Sequence, residues 1–94
     1  DEKSVAKAWK GDSIELVGEY KNAIQATDNF SAANLKSILS SIVESRGLGF
    51  GKLMLPVRLA VTGMGFGPDL FETLELLGKN ETVARIDAAL QNLG

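Results

Sequence analysis

Ninety-four residues with 10 Lys plus Arg, 12 Asp plus Glu and a formal charge of −2 fit one domain with a thin core, and this balance excludes a protein that coats nucleic acid or anionic membrane by charge alone. The chain has no Cys and no His, which removes disulfides, structural zinc of the Cys/His type and Ser-His or Cys-His nucleophilic pairs. No apolar run approaches the roughly 20 residues of a membrane span, and "SVAKAWKGD" lacks the apolar centre of a secretory signal, so the expected location is the cytoplasm, with no membrane partner.

The first ten residues, with Val5, Ala6, Ala8 and Trp9, suggest a short helix or a lead-in anchored by Trp9, broken at Gly11-Asp12-Ser13. From Ile14 the apolar positions Ile14, Leu16, Val17, Tyr20, Ala23 and Ile24 recur at three- and four-residue steps. That period predicts a helix over about 13–26, begun by Asp12 or Ser13 as N-cap. Ser31 is the expected N-cap of a second helix with Leu35, Ile38, Leu39, Ile42 and Val43 on one face, and Gly47 is the expected stop. After a Gly-rich loop a third helix is expected to begin near Leu53 to Pro56, because proline suits a first turn, and to stop at Gly63. Pro68 is expected at the first position of a fourth helix carrying Leu70, Phe71, Leu74 and Leu77 inward, closed by Gly78. Asn80 is the expected cap of a fifth helix with Val83, Ile86, Ala89, Leu90 and Leu93. No strand period appears, and the expected fold is an all-α bundle of about five short helices occupying residues 1–94 as one unit.

Two features bear on function. Between Arg46 and Pro68 stand three cations, Arg46, Lys52 and Arg58, and no carboxylate. Phe50 and Phe66 flank this basic island, which offers charge, flexible backbone and aromatic faces of the kind unpaired RNA bases require. As plain structure, the two phenylalanines are lids on a small core, the first two cations are solvated, and Arg58 is ion-paired to Glu72 or Glu75. The second feature is Asp69, Glu72 and Glu75, a trio with the donors for Mg²⁺ or acid–base work. The helix dipole favours the simpler reading, an acidic first turn and face, and no metal site is assigned. "GMGFG" precedes a helix start but lacks the strand before it and the Lys-Ser or Lys-Thr after it that a nucleotide cradle needs.

The run "GKLMLPVRLAVTGMGFGPDLFETLELLGKNETVARIDAAL", from Gly51 to Leu90, resembles the C-terminal anticodon-binding region of bacterial glutamyl-tRNA synthetases. The likeness rests on Pro-x-Arg-x-Ala-x-Thr-Gly, a variable loop, a proline, Leu-Phe-Glu and Leu-Leu-Gly-Lys in that order. "NFSAANLKSILSSIVESRGLGFGK" upstream is similar more weakly. The resemblance implies a class I synthetase C-terminal anticodon-binding fold and a part of a longer glutamate–tRNA ligase. Its partners would be the anticodon loop of glutamate tRNA and the preceding helical and catalytic domains of the same enzyme, with no DNA and a monomeric state. ATP, Mg²⁺ and the chemistry would belong to the catalytic domain, so this chain would bind no cofactor and catalyse nothing alone. By the motif match, Arg58, Gly67, Pro68 and Leu70 would contact anticodon bases, with Arg46, Lys52 and Phe66 in support. Position 67 is Gly where a number of family members carry a hydroxyl, and Asp69 stands where Gly is frequent. The alternatives from the residues alone are a stand-alone helical protein-interaction module and a small carboxylate enzyme.

Overall fold

The computed structural model describes residues 12–65 and 67–93, with the side chains of residues 12, 92 and 93 left aside. The expected lead-in at Trp9 and the loop residue Phe66 therefore lie outside the described residues. Five helices follow in order: α1 Asp12–Ala26, α2 Ala32–Ser45, α3 Gly51–Thr62, α4 Leu70–Leu77 and α5 Lys79–Leu93. No strand occurs among the described residues, so the all-α expectation holds.

One cluster of buried side chains joins them. Leu16, Val17, Tyr20 and Ile24 of α1 meet Leu35, Leu39, Ile42 and Val43 of α2, Leu53, Val57, Leu59 and Val61 of α3, Leu70, Phe71 and Leu74 of α4 and Ile86 of α5. Helix α3 packs against α1, α2 and α5, and Pro56, Val57, Arg58 and Leu59 are buried in succession. Four consecutive positions span about one turn, so this stretch of α3 is enclosed all round. This is why an arginine at position 58 is drawn inside.

The ends of the helices show local chemistry at work. Ser31 Oγ accepts the N–H of Asn34 at 3.3 Å, as expected of an N-cap. At the other end of α2, Gly47 adopts φ +67, its N–H bonds the Glu44 carbonyl at 3.1 Å, and the Leu48 N–H bonds the Val43 carbonyl at 2.9 Å. These paired bonds satisfy two of the last carbonyls and turn the chain out of the helix. Gly63 ends α3 in the same left-handed region, at φ +76, with its N–H on the Leu59 carbonyl.

Four boundaries differ from expectation. Helix α3 starts at Gly51 and holds Pro56 in its interior. The N–H groups of Lys52, Leu53 and Met54 are taken by the carbonyls of Gly49 and Phe50, so the first turn is complete before the proline is reached. The ring then deletes only the bond to the carbonyl of Lys52, an exposed residue. Helix α4 starts at Leu70, with Asp69 rather than Pro68 at its entrance, because Asp69 Oδ1 accepts the N–H of Glu72 at 3.0 Å. Helix α5 starts at Lys79, one residue before Asn80, since the Gly78 carbonyl already accepts the Thr82 N–H at 3.0 Å. Asp12 and Ser13 both lie within α1, so Ser13 does not cap it.

Candidate nucleic-acid interface

The C-terminal half of α3, the loop after it and the first turn of α4 form one surface. Arg58 lies at its base, 8% exposed. Its Nη1 donates to the Pro68 carbonyl at 2.9 Å, and its other N–H groups have no acceptor among the described residues. A guanidinium carries five donors, so most of its capacity is unused in a place where leaving a donor unmade is costly. The ion pair to Glu72 or Glu75, the plain structural alternative for Arg58, is not formed. Glu75 Oε1 instead accepts the N–H of Ala32 at 2.7 Å, at the start of α2. For Glu75 the cause is plain: the N-terminus of α2 supplies a fixed dipole and a donor for that carboxylate.

Above Arg58 the loop is held in shape. Thr62 Oγ1 donates to the Arg58 carbonyl at 2.8 Å and accepts the Met64 N–H at 3.2 Å. Arg85 of α5 donates from Nη1 to the Val61 carbonyl at 2.9 Å, fixing the last turn of α3. Neither residue was evident as part of the site. Thr62 carried a signal, a hydroxyl directly before a helix-ending glycine, whereas Arg85 lies 27 residues along the chain from Arg58 and only tertiary packing brings α5 there.

Gly67 and Pro68 are exposed. Gly67 has φ +143, and a Cβ added to it would stand 3.4 Å from Arg58 Nη1. Leu70 is 1% exposed as a whole residue, so both its side chain and its main chain lie in the core. The N–H groups of Leu70 and Phe71, the first two of α4, have no acceptor among the described residues. Asp69 occupies the third donor with a negative charge, which disfavours a phosphate there and suits a neutral group with acceptor atoms. A nucleobase edge meets that description.

Of the supporting residues Arg46, Lys52 and Phe66, the first two are described. Arg46 pairs with Glu19, tying the end of α2 to α1. Lys52 is exposed in the first turn of α3. Phe50 packs on Phe71 with ring centroids 5.9 Å apart and planes tilted by 55°, a core lid rather than a free stacking face. No group of three His, Cys, Asp or Glu among the described residues is arranged to hold a metal ion. Asp69 and Glu75, two members of the acidic trio, instead serve helix N-termini. No described helix is long and apolar enough to cross a membrane.

Comparison with known proteins gives a consistent set of likenesses. The profile of the anticodon binding domain family matches residues 1–90. The glutamate–tRNA ligase of Chlorobaculum parvum is 38% identical over 93 residues, and that of Christiangramia forsetii 39%. The ligase of Streptomyces griseus is 43% identical over 93 residues. In each case the match takes in 99% of this chain and 18% of the relative, so the chain spans under a fifth of their length. A crystal structure of a glutamate tRNA ligase from Elizabethkingia meningosepticum in complex with its amino acid is similar at a TM-score of 0.93 and 39% identity, over 100% of this chain and 18% of that one.

Proposed function

The chain belongs to the anticodon binding domain family, and from that premise we propose that it reads bases of a tRNA anticodon as the RNA-binding unit of a glutamate–tRNA ligase. In this reading the 94 residues are one part of a longer enzyme. Glutamate activation with ATP and Mg²⁺ and transfer to the tRNA end occur in other domains.

The observation that carries the proposal is the Arg58 guanidinium, buried yet engaged through a single N–H among the described residues. An unstacked base brought against the loop after α3 and the first turn of α4 would meet one side-chain donor, Arg58. The free edge of the guanidinium suits paired acceptors on a base and also stacks on its face. Pro68, exposed at the rim, supplies a rigid apolar edge. A protein-interaction module would instead need a broad apolar face. Among the described residues the only large apolar side chains counted as exposed are Met64 and Leu76, which favours the RNA reading.

The test is binding of anticodon stem-loop RNA by the purified chain. The cognate glutamate loop should bind more tightly than loops substituted at single anticodon positions. Equal binding of all loops, or none to any, contradicts the proposal.

A further inference from the structure

We infer that Gly67 is a positioning residue: it sets the aim of the Arg58 guanidinium, acting through Arg58 rather than by touching the base. The inference rests on the anticodon reading above and assigns position 67 a role within it.

Two observations converge on the same nitrogen. Arg58 Nη1 is anchored by the Pro68 carbonyl at 2.9 Å, and the Cβ that Gly67 lacks would stand 3.4 Å from that Nη1. The carbonyl and the missing side chain belong to adjacent residues, so Gly67 governs both. Its φ of +143 is a backbone region that L side chains rarely adopt. In this chain's loop, a side chain at 67 strains the backbone at that φ, and the rotation that relieves the strain carries the Pro68 carbonyl with it. An alanine Cβ would only touch Nη1 at ordinary contact distance, whereas a larger side chain would compete for the space beside it. Core packing is not the reason for the glycine, because Gly67 is exposed. Its one near neighbour outside the adjoining chain is the arginine.

The consequence for recognition is geometric. Four χ angles separate the guanidinium from α3, and a single hydrogen bond holds it in place. Moving that anchor lets the planar fork leave the orientation in which paired donors meet a base edge. Positive charge near the RNA remains; base selectivity is lost.

Gly63 provides the internal control. It also has positive φ, +76, but nothing lies within 4 Å of the Cβ it lacks, so substitution there strains the same loop without pressing on Arg58. The experiment compares Gly67→Ala, Gly67→Val, Gly63→Ala and Arg58→Ala in the full-length ligase proposed above. The readout is the ratio of affinities for cognate and base-substituted anticodon stem-loops, with thermal unfolding alongside. Both Gly67 variants should lower the ratio by roughly fivefold or more, the lower end of what a paired base contact supplies, with valine the worse. Gly63→Ala should lower the melting temperature and leave the ratio intact. If Arg58→Ala removes discrimination while the Gly67 variants keep it, or if Gly63→Ala lowers the ratio as much as Gly67→Ala, the positioning role is wrong and the anticodon reading stands. If Arg58→Ala leaves the ratio unchanged, the anticodon reading itself fails and the inference falls with it.

Discussion

Tyr20 and Arg58 are both large polar side chains enclosed by the same core, and they are handled in opposite ways. The Tyr20 hydroxyl, fully buried, donates to the Leu35 carbonyl at 3.0 Å, which joins α1 to α2 and meets its one need as a donor. Burial pushes its ionisation far above the usual tyrosine range, because a phenolate there would lose its hydration. The sign of the pH effect follows: above about pH 10 the unfolded chain releases this proton and the folded chain keeps it, so stability present at lower pH declines as pH rises. Tyr20→Phe should cost about 1 kcal/mol at neutral pH through the lost hydrogen bond. In urea unfolding it should also show a smaller loss of stability between about pH 9 and 11 than the parent chain. An identical alkaline slope in the two proteins contradicts the assignment. At this scale the sequence was informative where one residue type has one use: Gly47, Gly63 and Ser31 act as read, because left-handed backbone and N-capping are narrow chemistries. It was uninformative about partners. Arg58 turned out to bond a main-chain carbonyl, and carbonyls leave no mark in a sequence.

Helix α2 shows how elements stabilise one another. Its first turn takes an acceptor from its own entrance, Ser31 Oγ, and a second from α4, Glu75 Oε1. Ser31→Ala and Glu75→Ala should each destabilise the fold by about 1 kcal/mol. For a domain of this size that lowers the melting temperature by roughly 4–8 °C. Because both act on one helix end, the double variant should cost less or more than the sum, and a double-mutant cycle measures the coupling. The 3.6-residue period marked α1, α2 and α5, whereas α3, buried at consecutive positions, and α4 were placed by their prolines and closing glycines. The boundaries were less legible at prolines and asparagine. Pro56, Pro68 and Asn80 are each compatible with several positions near a helix start, and neighbouring carbonyls and Asp69 decided among them. The Glu75 cap was beyond reach, being a contact across 43 residues.

At the scale of the whole molecule, the fold turns a weakly acidic chain into one with little cationic surface at the candidate site. Arg58 is buried, Arg46 is paired with Glu19, and Lys52 is exposed. Three cations in sequence would suggest two or three phosphates neutralised, whereas this arrangement predicts about one or two. The slope of log affinity against log salt for stem-loop binding by the chain should therefore be about −0.7 to −1.4. A slope several times steeper would place extensive phosphate contacts elsewhere on the surface. The chain should also support no glutamate-dependent ATP–pyrophosphate exchange, because the proposal assigns that chemistry to other domains, and measurable exchange would contradict this division. The central claim is that Arg58 reads a base, and it is tested most directly by aminoacylation of cognate and anticodon-substituted tRNA with Arg58→Ala and Arg58→Lys in the full-length enzyme, beside thermal unfolding. The account predicts a loss of roughly 1–3 kcal/mol of discrimination at one anticodon position with alanine, little rescue by lysine, which lacks the planar fork, and unchanged glutamate activation. A destabilised Arg58→Ala enzyme that weakens on all tRNAs alike, with its base preference intact, would contradict it.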